Sequence, residues 1–322
     1  MTPPGPPRRG LVLSGGAALG AYQAGVLGAL RAHDIEFEVI AAASIGVLHA
    51  LAWNRGDMVH HLQDHWRDNV TRLRPFDVTR LLTFNNPFRF QGSMDGVVRR
   101  YRTTHPRADA PGQVPIIVSL THASTGRNLL VDTSDPTLTA EERIAVLKAA
   151  TTIPALGDGA IRFRGRAYYD GGFSNNLPVE PLLDRGLDEL WLVPLFPPRS
   201  AARWKRPLAG LVERFRRRAR NPWLLGTAGL VDQAIALPGQ AAFAGRVVDI
   251  RPPDALRQFT VRKALTFSVK HIDQLVAMGH RDGVSACRHY RRDCSSYVFT
   301  GGLFAAPPER SEVPPEGAEG ES

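Results

Sequence analysis

The chain has 322 residues, 43% of them hydrophobic, enough for one large α/β domain or two small ones and too apolar for an intrinsically disordered polypeptide. Two cysteines, Cys287 and Cys294, are too few for a zinc site and poorly placed for a disulfide, so they read as free thiols of a reducing, cytoplasmic compartment. The formal net charge of +9 is concentrated: nine basic residues against one acid, Glu213, lie between Arg199 and Arg220, so any partner drawn by charge is local to that segment.

Residues 1–9, MTPPGPPRR, read as a proline-rich disordered tail. The following GLVLSGGAALGAYQAGVLGAL resembles a signal-peptide core or a weak membrane span behind paired arginines, but its glycines, Tyr22 and Gln23 fit better a strand Leu11 to Ser14, a glycine-rich turn and a helix to about Ala32. A strand, close glycines and a helix N-terminus expose backbone N–H groups to an anion. Two chemistries use this: a dinucleotide site, of which Gly15-x-Ala17-x-x-Gly20 is a degraded fingerprint, and an oxyanion hole for acyl transfer. A P-loop is excluded, because no lysine follows Gly20.

The next stretch, EFEVIAAASIGVLHALA, runs from an apolar strand into a helix with Ser44 at the joint. A serine on such a turn is either a nucleophile elbow or the N-cap of a buried helix. The usual elbow is Gly-x-Ser-x-Gly; here Gly46 is present and Ala42 takes the first position. The second strand ends in Ala41-Ala42-Ala43-Ser44 and not in the acid that would hold the ribose of a dinucleotide.

From Asp57 to about 105 the pattern is helical and amphipathic, a natural cap over a site. His61 and His65 lie four apart around Asp64, but no glutamate completes a metalloenzyme pattern, and a solvated helix face is the preferred reading. Strand signals return at 114–121 and 128–132, then a helix around 140–150, two short strands at 160–163 and 166–169, the loop Asp170-Gly171-Gly172, a helix at 179–185 and a buried strand at 189–195. This alternation predicts a three-layer α/β/α sandwich with a mainly parallel central sheet. Residues 199–245 read as a basic amphipathic insertion, in which Leu208, Leu211, Val212 and Phe215 form a stripe and Arg214, Arg216, Arg217 and Arg218 suit an anionic membrane surface. A last strand is expected at 247–250, a long helical region at 260–290, and a disordered acidic tail over 305–322, leaving one domain spanning 10–304.

Three loops thus follow strands: the Gly15–Gly16 turn, the Ser44 elbow and the Asp170 loop. In an open parallel sheet the carboxyl ends of strands share one edge, where distant residues converge. The combination VLSGGAALGAYQAGVL, ASIGVLHA and TTIPAL…YYDGGFSNNLPV resembles, in order, the motifs of the patatin-like phospholipase family over roughly residues 10–290.

The resemblance implies Ser44 as nucleophile, Asp170 as its base, and the amides of Gly15, Gly16 and Ala17 as oxyanion donors. Gly46, Gly171 and Gly172 support the elbow and loop, and Asn176 and Pro178 shape the chain after the aspartate. It implies hydrolysis of lipid esters, of phospholipase A or lysophospholipase type, through an acyl-serine, with no metal or organic cofactor and no nucleic acid partner. The chain departs from the family pattern at Ala17 (commonly glycine), Leu19 (commonly basic) and Ala42 (commonly glycine), the last expected to tighten the elbow. His49, His122 and His271 are candidates for a histidine-assisted triad in place of a dyad. The rival functions are a catalytically weak lipid-binding or regulatory protein and a dinucleotide-dependent oxidoreductase.

Overall fold

The computed structural model describes residues 6–56, 59, 61–72, 113–153, 159–195, 241–252, 267–289, 296–300 and 303–304. In chain order the elements are β1 Arg9–Leu13, a 3-10 turn Ala17–Leu19, α1 Gly20–Ala32, β2 Val39–Ala42, α2 Ile45–Asn54, α3 Leu62–Arg72, β3 Ile116–His122, β4 Asn128–Asp132, and α4 Ala140–Ala149. They continue with β5 Ile161–Phe163, β6 Arg166–Asp170, a 3-10 turn Gly171–Phe173, α5 Glu180–Leu183, β7 Glu189–Val193, β8 Ala241–Asp249, α6 Val269–His289, β9 Ser296–Thr300 and β10 Leu303–Phe304.

One sheet holds all the described strands. Its centre, β8-β7-β1-β2-β3, is parallel throughout, and antiparallel pairs (β9 and β10 at one end; β4, β5 and β6 at the other) form its margins. The central strands read as unbroken apolar runs because both faces are covered. Alternation divides them: Leu11, Leu13, Ile40 and Val118 pack on one face against Tyr22, Leu27, Val47, Trp53 and Ile272, while Val12, Ala41, Ile117 and Leu192 pack on the other against Leu177, Val179 and Leu182. This is the expected α/β/α arrangement. Helices α1 and α6 cross at near backbone contact, since a Cβ on Gly25 or Gly279 would run into the main chain of the other helix.

The register at β3 places the functional loops. Ile117 pairs with Ala41 of β2 on one edge and Asp132 of β4 on the other, while Leu120 pairs with Leu129 of β4 and with Asp170 of β6. Strand β6 therefore shares with β2 the edge opposite β4. Because β2 runs parallel to β3 and β6 antiparallel, the two approach along that edge carboxyl end to carboxyl end: β2 finishes at Ala42 opposite Val118, and β6 at Asp170 opposite Leu120.

Several sequence expectations need correction. Arg8 and Arg9 belong to the fold and not to a tail: Arg9 starts β1, its Nε bonded to Glu189 at 2.8 Å, and the Arg8 N–H donates to Asp188 at 2.7 Å while its guanidinium pairs with Glu38. Proline content masked these anchors. The 241–245 end of the expected basic insertion lies in β8, where Phe243 is buried, and β8 is followed by two further strands. The rest of that insertion, including Arg214, Arg216, Arg217 and Arg218, lies outside the described residues, as do most of the cap at 57–105 and the 305–322 tail.

Candidate active site

Each of the three loops leaves its strand under a different constraint. After β2, Ser44 takes φ 52° and ψ −126°, a conformation costly for any side-chain-bearing residue, by roughly 1–3 kcal/mol. It is held there from both sides: the Ala43 N–H donates to the Leu13 carbonyl at 3.1 Å, and Gly46 packs so closely on Leu13 that a Cβ would sit 2.5 Å from that carbonyl oxygen. Gly46 is thus required by close approach. Ala42 is a regular, fully buried strand residue paired with Leu13 and Val118, so the expected tightening of the elbow at that position is not found. The strain resides in Ser44 itself.

Asp170 ends β6 and caps the 3-10 turn after it, its Oδ1 accepting from the Gly172 N–H at 2.8 Å. Its backbone is fixed by the Thr152 carbonyl, which accepts from its N–H at 3.0 Å, and by the Thr121 hydroxyl, which donates to its carbonyl at 2.8 Å. Gly171 lies against the backbone of Ser119, leaving no space for a side chain. Asp170 is 2% exposed. Burial pushes its pKa up to about 7, against hydrogen bonds from Ser44 and the Gly172 amide that favour the charged form. The hydroxyl and carboxyl are thereby joined across the gap between the ends of β2 and β6.

The loop after β1 lies beside this pair. A Cβ on Gly15 would stand 2.7 Å from the Ser44 Cβ, so only glycine lets the loop approach the elbow this closely. Here the sequence expectation is corrected at one position. The Gly15 N–H donates to Asn176 Oδ1 at 3.0 Å and to the Asn176 carbonyl at 3.3 Å, so it is spent within the protein and not offered to a bound oxyanion. Among the described residues none accepts from the N–H of Gly16 or Ala17, and those two amides remain as donors. Ala17 has φ 48°, the conformation glycine would take without strain.

Among the described residues no histidine is seen to pair with Ser44 or Asp170. His49, on α2, is 2% exposed, and burial pushes its pKa down to about 3. The Trp66 indole, which can only donate, gives its N–H to His49 Nε2 at 3.1 Å, so the ring proton is on Nδ1, 3.0 Å from Gln23 Oε1. Both nitrogens are occupied and the ring is neutral. Gln23 in turn donates to the carbonyls of Ser14 at 2.9 Å and Val193 at 3.0 Å, tying the ends of β1 and β7 together. His122 ends β3, with Nδ1 turned to Thr125 and its ring edge-on to Tyr168, and His271 is buried in α6. Burial, with the opposing hydrogen bonds from Ser44 and Gly172, sets the direction of the Asp170 shift.

Among the described residues no cluster of His, Cys, Asp and Glu could hold a metal ion, and His61 and Asp64 are 3.9 Å apart on an exposed face. Sequence reasoning assigned Asn176 to the shape of its own loop and gave Gln23 no role at the site; that these two buried amides fasten the first loop is seen only in the structure. The signal was there in the polar pair Asn175-Asn176 closely following Asp170-Gly171-Gly172, and in a lone glutamine inside an apolar helix.

Comparison with solved structures finds similarity to VipD from Legionella pneumophila, at 13% identity and TM-score 0.41, over 92% of this chain and 68% of that one. The type III effector ExoU is similar at 16% identity and TM-score 0.36, over 92% and 56%. Full-length ExoU in complex with SpcU, from the type III secretion system of Pseudomonas aeruginosa, is similar at 15% identity and TM-score 0.38, over 91% and 55%. The chain spans little more than half the length of the ExoU structures. The family model described as patatin-like phospholipase matches residues 11–183, more than half of the chain and a stretch that contains Gly15, Ser44, Asp170 and Asn176, and the chain belongs to that family.

Proposed function

We propose that the protein is a serine hydrolase of lipid esters, of phospholipase A or lysophospholipase type, working through a Ser44–Asp170 dyad. The observation that carries this reading is the pairing of a serine on a strained elbow with a buried, hydrogen-bonded carboxyl group whose pKa lies near neutrality. A general base is most effective when its pKa is close to the working pH, and burial supplies that here without a histidine.

In the first step Asp170 takes the hydroxyl proton as Ser44 Oγ attacks the ester carbonyl carbon. The carbonyl π pair moves onto oxygen, and that oxyanion is received by the Gly16 and Ala17 amides. Fixed donors of this kind lower such a barrier by about 3 kcal/mol or more. Collapse of the tetrahedral centre breaks the ester C–O bond, and the departing alcohol collects the proton from Asp170. Water then attacks the acyl-serine, again with Asp170 as base, releasing a carboxylic acid and restoring Ser44.

Lipid substrates follow from the family, and the basic segment of residues 199–220 suits delivery from an anionic bilayer. The test is labelling by a fluorophosphonate probe together with hydrolysis of a panel of phospholipid, lysophospholipid and simple acyl esters. Wild type is expected to label and turn over, and Ser44→Ala and Asp170→Asn are expected to do neither at a measurable rate. Equal labelling of wild type and Ser44→Ala refutes the assignment.

A further inference from the structure

Asn176 is buried, 7% exposed, and it grips both polar groups of one residue in the first loop. Its Oδ1 accepts from the Gly15 N–H at 3.0 Å, and its Nδ2 donates to the Gly15 carbonyl at 3.1 Å. The same Oδ1 crowds Gly172, where an added Cβ would lie 2.8 Å from it and 3.1 Å from Asp170 Oδ1. One amide side chain therefore stands between the loop after β1 and the loop that carries Asp170.

The Gly15 carbonyl belongs to the same peptide unit as the Gly16 N–H. A trans peptide is planar, so its C=O and N–H point in opposite directions, and whatever fixes the first aims the second. The Ser14 hydroxyl also donates to the Gly15 carbonyl, at 3.3 Å, a longer contact than that of the Asn176 amide. We propose that Asn176 is a positioning residue: by donating to the Gly15 carbonyl it turns the Gly16 N–H outward as an oxyanion donor, in register with Ser44 and Asp170. This rests on the hydrolase reading above and adds to it a role for a side chain that touches no substrate.

A residue that merely stabilised the fold would lower thermal stability without favouring one step of the reaction. A residue that aims an oxyanion donor acts on the tetrahedral centre, so its loss falls on kcat and on the binding of tetrahedral analogues, and leaves KM nearly unchanged. The experiment compares wild type, Asn176→Ala and Asn176→Asp on a p-nitrophenyl ester, at a pH on the alkaline plateau of each, with inhibition by a trifluoromethyl ketone and thermal unfolding measured alongside. Asn176→Asp keeps the shape and the acceptor for the Gly15 N–H and replaces the donor to the Gly15 carbonyl by an acceptor; the carboxyl group it adds near Asp170 is accounted for by measuring each variant on its own pH plateau.

Both variants are expected to remain folded, to lose kcat on the order of 100-fold, and to bind the ketone more weakly by a similar factor. Wild-type kcat in a folded variant, a loss confined to KM, or unfolding of both variants at 25 °C overturns the positioning role while leaving the hydrolase reading intact. Absence of Ser44-dependent turnover in the wild type overturns both.

Discussion

Ser44 and Asp170 are 126 positions apart in sequence and hydrogen-bonded in space because β2 and β6 end head to head on one edge of β3, the first opposite Val118 and the second opposite Leu120. A parallel sheet alone would deliver both residues to its carboxyl edge but not against each other. The antiparallel return of β6 brings the aspartate to the elbow, and the same strand ending buries it.

In the proposed mechanism, with Asp170 as the base, that burial sets the pH dependence of hydrolysis. The base must be ionised, and its pKa is raised to about 7, so kcat/KM should fall about tenfold per unit below neutrality and level off above about pH 8. Initial rates on a soluble ester from pH 5 to 9 check this. A profile flat down to pH 5 would mean that Asp170 titrates as an ordinary exposed carboxylate and is not the base in the buried state described.

The same shift has a consequence for stability with a definite sign. Folded Asp170 holds its proton more tightly than the unfolded chain, so the wild type loses stability as pH rises from about 4 to about 7 and bears the whole loss above that window. At full size the cost is roughly 4 kcal/mol. Asp170→Asn keeps the shape without the charge and should be the more stable protein at pH 8, with the difference vanishing near pH 4. Urea unfolding of both proteins at the two pH values measures it; a variant less stable than wild type at pH 8 would contradict the buried-carboxylate account.

How much of this was readable from the sequence differs from loop to loop. The central strands and the three turns were legible because unbroken apolar runs ending in glycine or serine have few other structural solutions, and the order of elements from Leu11 to Val193 followed directly. The head-to-head meeting of β2 and β6 was not legible, since pairing partners of the short β5 and β6 depend on contacts far away in the chain. Nor was the fate of the Gly15 amide: glycine-rich turns advertise free N–H groups, and only the fold reveals that Asn176, 161 residues later, has taken one of them. Arg8 and Arg9 were misread because a local run of prolines outweighed the distant acids Glu38, Asp188 and Glu189 that hold them.

Ala17 offers a test of strain. At φ 48° an alanine costs about 1–2 kcal/mol that a glycine would avoid, offset in part by the greater freedom of glycine in the unfolded chain. Ala17→Gly should therefore raise stability by up to about 1 kcal/mol and leave the backbone amide available to an oxyanion. Denaturant unfolding and ester hydrolysis, run together, check both halves. A clear loss of stability would show that the positive φ is not the dominant constraint at this position.

Membrane delivery gives a prediction that depends on charge alone. The sequence predicts an apolar stripe of Leu208, Leu211, Val212 and Phe215 with Arg214, Arg216, Arg217 and Arg218 on the other faces, and each arginine near an anionic bilayer contributes about 1 kcal/mol. Among the described residues no helix is long and apolar enough to cross a membrane. Co-sedimentation should favour phosphatidylserine-containing over pure phosphatidylcholine vesicles, weaken as salt rises from 0.05 to 0.5 M, and drop steeply when the four arginines are replaced by glutamine. Hydrolysis of a soluble ester should be unaffected by those replacements, which separates delivery from chemistry. Equal binding to neutral and anionic vesicles, or binding indifferent to the four arginines, would remove the membrane role from this segment and leave the site at Ser44 untouched.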